Sequence, residues 1–500
     1  MTRLKTTVIA LAVTFFILQT PSLTLGGSPH FARLSKTDQK RLKDQVQTIL
    51  SQSDLGQMTV GVKVLSLDTG ETLYDHQAER LFHPASNTKL FTAIAALHVL
   101  GPDYRFLTTV YGDDEAEKRG DTLYSSLYLQ GTGDPTLTTA AMDSLAACIA
   151  TYGASVVAGT LIVDESSFDT KRLGEGWMWD DVPYDFSAQV SAMTLNRNCV
   201  TVVVMPGKAI GEPVLARVDP PNEWVKVSTT ALTGKAETQE PFRVERRWPE
   251  RSNTVDVMGE LPIGAADRRV LLTIEDPALY AAYVFRERLA LRGITVNGTI
   301  QKGSLPLRAR RLGSHASEPL PALIRFMLKD SDNLAAELLV KAMGHHESGQ
   351  QGSTENGLKV VRKVLGVEAG LDTLEYRMVD GSGLSWYDLV TPNQTIALLS
   401  AAYRDSTVRV ALWDALPVAG VDGTLKNRMR SSPVKGMLRA KTGSLSGVSC
   451  LSGFVTTQEG ETLAFSIMMN NFAGSSSGAR RAQDDLGATL ATFSRKKKSR

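Results

Sequence analysis

The spacing of apolar residues near the start of the chain predicts a helix, a strand pair and a second helix. Residues 36–53 place their apolar side chains on one helical face and follow Ser35, a typical N-terminal cap. Residues 58–67 alternate apolar and polar positions like a strand, and the Asp-Thr-Gly sequence after them predicts a turn into a second strand. A helical pattern then covers residues 86–100 and ends at a Gly-Pro pair.

The pattern changes between residues 104 and 312, where short β-like runs alternate with Gly, Pro and Asp turns. Helical periodicity returns after residue 315, and two β-like runs precede a terminal helix near 478–493. Strand and helix patterns at both ends therefore enclose a β-rich middle, which indicates one discontinuous domain interrupted by an insertion. The predicted segments are 31–103 and 313–494 for the outer domain, 104–312 for an insertion of one or two subdomains, 187–265 for an inner subdomain, and 495–500 for a basic, solvated tail.

Length and composition agree with several globular units and limit the function classes. Single hydrophobic cores stop growing near ~250–300 residues, so a chain of 500 residues is expected to divide into domains. The chain has 42% hydrophobic and 22% charged residues, and its formal net charge is +2, from 55 basic and 53 acidic side chains. This balance argues against a nucleic-acid partner, whose binding needs a concentrated basic face.

The first residues predict export. A basic start, an apolar run from Thr7 to Leu18, Pro21 and small residues before Gly26 are typical of a cleaved signal peptide at 1–26. A membrane anchor is the alternative, but the apolar run is shorter than the ~20 residues that span a bilayer. We therefore expect an exported, periplasmic protein with at most peripheral membrane association.

The cysteines and histidines argue against a disulfide-rich scaffold and against a catalytic metal site. Three cysteines cannot form a disulfide-rich scaffold, and if one bridge exists, Cys148–Cys199 is the pairing we consider. The seven histidines form no HExxH or Cys/His ligand pattern, so neither a catalytic metal nor any other cofactor is expected.

Ser86 and Lys89 lie three positions apart at the start of the second predicted helix, within FHPASNTKLF. Residues at this spacing share a helical face, which brings the hydroxyl and the amine close together. A serine hydroxyl becomes a good nucleophile when a base removes its proton, and a lysine can act as that base if burial and a second cation lower its pKa. A capping serine beside a solvated lysine explains this short pattern equally well.

Two further motifs favour the catalytic explanation of Ser86 and Lys89 over the structural one. Ser331 and Asn333 belong to a Ser-Asp-Asn sequence between two predicted helices, and Lys441 begins a Lys-Thr-Gly sequence on a predicted strand. The joint occurrence of SxxK, SDN and KTG in this order is specific to a group of serine acyl transferases that includes the penicillin-binding proteins and class A β-lactamases.

The sequence resembles the low-molecular-mass class C penicillin-binding proteins of the D-alanyl-D-alanine carboxypeptidase/endopeptidase type, peptidase family S13. The long β-rich interval between Ser86 and Ser331 makes this the closer match within the group. The supporting stretches are LYLQGTGDPTLT, GWMWDDVPYDFSA, NRNCVTVVVMPG, DGSGLS and GVDGTL. The resemblance implies an α/β (α+β) fold, with a penicillin-binding/β-lactamase-like serine transferase domain whose antiparallel sheet is flanked by helices.

The resemblance also implies roles for the motif residues. Ser86 would form an acyl-enzyme with the penultimate D-alanine carbonyl of a peptidoglycan stem peptide or with an opened β-lactam, and Lys89 would activate it. Ser331 would pass a proton to the leaving amine. Asn333 would hold Lys89 and the substrate amide, and Lys441 would complete the polar cluster.

Three further positions are expected to bind substrate by the same resemblance. Thr442, together with Lys441, would bind the terminal carboxylate by charge-assisted hydrogen bonds. Gly443 would let the substrate backbone lie against its strand. The backbone N–H groups of Ser86 and Ser444 would bind the oxyanion.

The stretch GWMWDDVPYDF matches the segment of this family that binds the stem-peptide side chain. It places Asp181 opposite a diaminopimelate ammonium and Phe186 against the aliphatic stem, with Asp180 or Tyr184 as alternatives. A surface loop whose tryptophans pack on the insertion explains the same stretch. The glycine-rich turns at 380–385 and 420–425 are interpreted as scaffold near the cleft.

Two other functions share these motifs. A β-lactamase needs fast deacylation, which in class A enzymes depends on a glutamate between the SDN and KTG motifs; Glu318 precedes Ser331 and is misplaced for that role. A non-catalytic peptidoglycan-binding protein would not need all five reactive residues. The expected partners are stem peptides and β-lactam inhibitors, and a homodimer is among the oligomeric states that the sequence leaves open.

Overall fold

The computed structural model describes residues 31–52, 55–56, 58–239 and 241–495. The predicted signal peptide at 1–26 lies outside these ranges. Within them, every helix is too short or too polar to cross a membrane. The mixed α/β class predicted from the sequence is confirmed.

Ten α-helices form in the described residues. They are α1 (Lys36–Leu50), α2 (Thr88–Leu100), α3 (Thr139–Ala150), α4 (Pro277–Ala290), α5 (Leu320–Asp330), α6 (Asn333–Ser348), α7 (Thr354–Ala369), α8 (Pro392–Arg404), α9 (Ser406–Ala415) and α10 (Ser477–Ala491). Local capping explains several helix starts. Ser35 caps α1 by accepting the Asp38 N–H at 3.0 Å, and Thr391 and Gln394 form a capping box at the start of α8.

The same part of the chain forms 22 strands, most of them short. They are β1 (Thr59–Ser66), β2 (Thr72–His76), β3 (Leu107–Asp113), β4 (Glu117–Arg119), β5 (Thr122–Tyr124), β6 (Leu127–Gly131), β7 (Val156–Val157), β8 (Leu161–Asp164), β9 (Cys199–Met205), β10 (Leu215–Asp219), β11 (Lys226–Thr229), β12 (Leu232–Gly234), β13 (Arg243–Arg246), β14 (Thr254–Met258), β15 (Glu260–Pro262), β16 (Arg268–Thr273), β17 (Thr295–Val296), β18 (Ile300–Lys302), β19 (Ala309–Ala316), β20 (Leu438–Leu445), β21 (Val448–Thr456) and β22 (Thr462–Asn470).

The main sheet joins the two ends of the chain. Its strand order is β2-β1-β22-β21-β20, and every pairing is antiparallel. β1 pairs with β22 along its full length, from Thr59 opposite Asn470 to Ser66 opposite Leu463. The edge strand β20 carries Lys441, so the order of this sheet sets where the third motif lies.

Helices cover both faces of this sheet, because alternate residues of its strands point to opposite sides. Phe465 and Ile467 of β22 share a core with α1 and α10, whereas Ala464 and Met468 share a core with helices that include α2, α5 and α6. α2 is buried from Thr88 through Leu97, on all sides of the helix. This complete burial explains how Lys89, near its start, is shielded from solvent.

The insertion has its own core and several small sheets. It leaves and rejoins the outer domain through β3 and β19, which pair from Leu107 opposite Ala316 to Asp113 opposite Ala309. The predicted boundary at residue 312 therefore falls inside β19. The predicted inner subdomain likewise stops too early at 265, because β16 pairs with β9 as far as Thr273.

The Cys148–Cys199 bridge considered from the sequence is wrong, because all three cysteines are free thiols. Cys148 lies on α3 against Gly313 of β19. Cys199 begins β9, opposite Thr273. The two thiols lie on different elements, α3 and β9, and linear spacing alone does not reveal how these elements pack.

The predicted solvated tail is wrong at its first residue. Arg495 is 5% exposed, and its guanidinium lies 2.7 Å from Glu461 Oε1 and 2.6 Å from Glu71 Oε2. It also donates to the Ala32 carbonyl at 2.5 Å. These contacts tie the end of the chain to the segments that precede β2 and β22. Residues 496–500 lie outside the described part of the chain.

We expect Arg495→Ala to lower the free energy of unfolding by about 3 kcal/mol, because it leaves the buried Glu461 carboxylate without its partner. Urea denaturation measures the change. Arg119→Ala is the matched control, since its pair with Glu117 is largely exposed and should contribute little to stability. Equal losses in the two variants would contradict the anchoring role.

Candidate active site

Ser86 lies in a single 3-10 turn, Ala85–Asn87, that leads directly into α2. Ala85 has a φ of +46°, a left-handed conformation that residues with a side chain rarely adopt. Asn87 anchors the turn to the main sheet by donating to Ser452 Oγ at 3.1 Å. The turn holds Ser86 at the edge of a cleft, while the next residues enter the protein interior.

Lys89 is fully buried and has three hydrogen-bond acceptors. Its Nζ lies 3.0 Å from Ser86 Oγ, 2.5 Å from Asn333 Oδ1 and 2.7 Å from the Ser382 carbonyl oxygen. Three acceptors match the three N–H donors of an ammonium group. Burial lowers the pKa of Lys89 to about 8, even though four nearby carboxylates act in the opposite direction. The proton of Lys89 is therefore much easier to remove than that of a solvated lysine.

Ser331 and Lys441 form a second hydroxyl–amine pair. Ser331 links α5 to α6 with a φ of +60°, and its Oγ accepts a hydrogen bond from Lys441 Nζ at 2.8 Å. Lys441 also donates to the Thr442 carbonyl at 2.8 Å. Burial, followed by the charge of Lys89, holds the pKa of Lys441 well below its usual range. The five predicted reactive side chains thus converge from three distant segments of the chain.

Ser86 opens onto a cleft of about 470 Å³. Residues from the outer domain and from the insertion line it together: Ser86, Met178, Asp180, Asp181, Phe186, Ser331, Asn333, Gly383, Leu384, Trp386, Ser444, Leu445 and Ser446. Both predicted side-chain-binding residues, Asp181 and Phe186, therefore lie at the same cleft as Ser86. Burial and the charge of Asp180 raise the pKa of Asp181. Tyr184 stacks on Phe186 with ring centroids 5.5 Å apart.

The residues that follow Lys441 differ in whether they reach the cleft. Ser444 lines the cleft, and Thr442 Oγ1 donates to Thr424 Oγ1 at 2.8 Å. A Cβ at Gly443 would lie 2.6 Å from the Pro84 carbonyl oxygen, so the close approach of the turn that carries Ser86 is a second reason for glycine at this position.

Three of the carboxylates near Lys89 lie outside the three sequence motifs. Glu337 Oε1 accepts the N–H groups of Gly381 at 3.0 Å and Ser382 at 2.9 Å, which fixes the backbone just before the Ser382 carbonyl that binds Lys89. Burial and the charge of Asp380 raise the pKa of Glu337. The available signal is an acidic residue within the apolar run of α6, one helical turn after Asn333.

The turn at 380–385, interpreted from the sequence as scaffold, contacts the site directly through the Ser382 carbonyl. Asp388 is also buried near it and accepts the Val379 N–H at 2.8 Å. Burial raises the pKa of Asp388 well above its usual value, and the charge of Asp380 adds to this effect. These carboxylates limit how far burial can lower the proton affinity of Lys89.

The arrangement supplies the groups that acyl transfer needs. A hydroxyl lies beside a lysine of lowered pKa, and a second hydroxyl–lysine pair faces the same cleft. Among the residues that the structure describes, His, Cys, Asp and Glu side chains form no group of three able to hold a metal ion.

Comparisons with known proteins agree with this chemistry. The model of the D-Ala-D-Ala carboxypeptidase 3 (S13) family matches residues 42–492. The chain is 38% identical over 487 residues to a D-alanyl-D-alanine carboxypeptidase of Actinomadura sp. (strain R39), a match that covers 95% of this chain and 88% of that protein. It is 29% identical over 420 residues to the D-alanyl-D-alanine carboxypeptidase DacB of Haemophilus influenzae, covering 83% and 86%.

Solved structures show the same relationship. The crystal structure of penicillin binding protein 4 (dacB) from Haemophilus influenzae matches with a TM-score of 0.79 at 27% identity, covering 90% of this chain and 99% of that one. A second structure of that protein, complexed with a novel β-lactam, matches with a TM-score of 0.73 at 26% identity, covering 90% and 98%. The chain therefore belongs to the D-Ala-D-Ala carboxypeptidase 3 (S13) family.

Proposed function

We propose that this protein is a serine D-alanyl-D-alanine carboxypeptidase, a D,D-endopeptidase, or both, which acts on peptidoglycan stem peptides and is inhibited by β-lactams. The observation that carries the proposal is the buried Lys89 amine 3.0 Å from Ser86 Oγ at the edge of a cleft. Family membership supports it, as do the relatives named D-alanyl-D-alanine carboxypeptidase and the related structure that holds a β-lactam.

In the proposed acylation step, Ser86 Oγ attacks the carbonyl carbon of the penultimate D-alanine and Lys89 takes the hydroxyl proton. The carbonyl oxygen becomes an oxyanion, which the backbone N–H groups of Ser86 and Ser444 stabilise; losing one such donor typically costs ~10²–10³ in rate. The peptide bond then breaks, and Ser331 passes a proton to the leaving amine while Lys441 restores the proton of Ser331. The product is an ester on Ser86.

Water completes the cycle by attacking the ester, and its proton passes through Ser331 to Lys441. The bond between the acyl carbon and Ser86 Oγ then breaks, Ser86 takes back the proton held by Lys89, and the shortened peptide is released with a new terminal carboxyl group. With a β-lactam, the broken amide belongs to a ring, so the leaving amine remains attached to the acyl group. Glu318 precedes α5 and lies outside the interval where class A β-lactamases place their deacylating glutamate. We therefore expect the penicillin ester to be released slowly, unlike in a β-lactamase.

The residues around the cleft suggest how the stem peptide binds. Lys441 and Thr442 receive the terminal carboxylate. Asp181 binds the ammonium of a diaminopimelate side chain, and Phe186 covers its aliphatic part; their positions along the cleft of Ser86 support this assignment. Asn333 holds Lys89 and the substrate amide, consistent with its 2.5 Å hydrogen bond to Lys89.

Peptidoglycan is an extracytoplasmic polymer, so the proposed function requires export of the protein to the periplasm. The apolar N-terminal run provides the expected export signal. Purified muropeptides distinguish the two bond specificities: release of D-alanine from pentapeptides defines a carboxypeptidase, and conversion of cross-linked dimers to monomers defines an endopeptidase.

We expect Ser86→Ala to abolish covalent labelling by a fluorescent penicillin and to lower peptide turnover more than about 10⁴-fold, because no other hydroxyl replaces the nucleophile. Gel fluorescence and D-alanine release measure these effects. Ser144→Ala, an exposed serine on α3, is the control and should label like the wild type. Undiminished label on the Ser86 variant would reject the acyl-enzyme, and release of the label within seconds would indicate a β-lactamase.

The rate of acylation should rise with pH through an apparent pKa near 8. Lys89 accepts the Ser86 proton when it is neutral, and its pKa of about 8 makes the neutral form scarce at pH 6 and dominant at pH 9.5. Because Lys441 lies close by, the midpoint belongs to the lysine pair. The second-order rate constant for penicillin labelling over this range measures the profile, and a flat profile would argue against a lysine base.

A further inference from the structure

The insertion reaches the reactive lysine through one segment, residues 174–188, here called the insertion loop. Its Phe186 carbonyl accepts a hydrogen bond from Asn333 Nδ2 at 2.7 Å. The opposite side of the same amide, Asn333 Oδ1, accepts from Lys89 Nζ at 2.5 Å. One backbone carbonyl of the loop therefore fixes the orientation of a side chain that binds Lys89.

A second connection runs through Trp177 of the same loop. Its indole Nε1 donates to Asp380 Oδ2 at 2.9 Å. Asp380 is fully buried and also accepts the N–H groups of Gly383 at 2.7 Å and Ser385 at 2.8 Å. The carbonyl of Ser382, inside the turn that Asp380 holds together, is the third acceptor of Lys89. Two residues, Asp380 and Ser382, thus lie between Trp177 and the reactive amine.

The packing of the loop leaves little freedom at this contact. A Cβ at Gly174 would lie 2.2 Å from the Trp177 ring, and a Cβ at Gly176 would lie 2.7 Å from both Ser385 Oγ and the Tyr387 ring. Gly176 has a φ of +74°, which favours glycine. The insertion loop therefore contacts the segment at 380–387 directly, through the backbone of Gly176 and the ring of Trp177.

We propose that Trp177 is a positioning residue for acylation, which couples the insertion loop to the Ser382 carbonyl and through it to Lys89. Trp177 does not belong to the residues that line the cleft, whereas its neighbour Met178 does. Its effect passes through Asp380, a buried carboxylate that would lose one of its donors without the indole. This inference deepens the proposed function and rests on it.

The consequence is a link between the loop that carries Asp181 and the chemistry at Ser86. A small displacement of a reacting group can cost ~10² in rate, and a mutation along a contact chain between two sites typically changes their coupling by about 2- to 30-fold. Loss of the Trp177 donor should therefore slow the acylation step and leave the binding of substrate nearly unchanged.

The test compares Trp177→Phe with the wild type. Benzylpenicillin is the first probe, because it has no stem-peptide side chain and cannot report on the binding of that side chain. We expect its acylation rate constant to fall about tenfold, after normalisation to the fraction of protein finally acylated. For a D-Ala-D-Ala-terminated peptide, kcat should fall by a similar factor at constant KM.

Trp179→Phe is the matched control, since Trp179 lies on the same loop, is 71% exposed and packs on Trp248 away from the turn. It should acylate like the wild type. The coupling is disproved if Trp177→Phe only raises KM for the peptide with unchanged penicillin acylation, if both tryptophan variants lose the same rate, or if normalisation removes the difference.

Gly176→Ala provides a second route should Trp177→Phe fold poorly. The added methyl group would push the loop away from Ser385, so the same slow acylation is expected, whereas Gly211→Ala, at an open loop position with a φ of +84°, should have no effect. Normal acylation of Gly176→Ala would overturn the inference. Failure of the proposed function is distinguishable, because the wild type itself would then not be acylated.

Discussion

The site depends on the burial of a lysine whose three N–H groups must all find acceptors. An ammonium group without water is costly, and Lys89 meets this demand with one acceptor from its own turn, one from α6 and one from the turn at 380–385. These segments are far apart in sequence, so the outer domain must bring them together before the lysine can be buried. The pairing of β1 with β22 and the burial of α2 from Thr88 through Leu97 provide that framework.

Two opposing effects set the proton affinity of the buried amine. Removal of solvent favours the neutral form, and the carboxylates of Asp380, Glu337 and Asp388 favour the charged one. The carboxylates are themselves buried, and burial raises the pKa of Glu337 and Asp388, which reduces their negative charge. The result is a lysine that remains structurally satisfied yet can exchange a proton near neutral pH, as a base in acyl transfer requires.

The insertion contributes to the same site although it has its own core. It is attached to the outer domain through β3 and β19, and one of its loops returns to the cleft. That loop places Asp181 and Phe186 along the cleft, and through Trp177 it also holds Asp380. Residues that line the cleft and residues that contact the supports of the reactive centre therefore share one short segment of the insertion.

The sequence alone determined the three motifs, the β-rich interval between them, the mixed α/β class and the family, because these depend on local patterns and on residue identity. It marked Glu337 only as an acidic residue in an apolar run, and it did not show what Glu337, Asp388 or the Ser382 carbonyl binds, since a buried acceptor is recognised by its neighbours in space and not by its neighbours in the chain. Position in space also decided why residue 443 is glycine, whether Cys148 and Cys199 meet, and that Arg495 is anchored by Glu461 and Glu71. Each of these outcomes depends on contacts between distant segments, and such contacts exist only once the chain has folded.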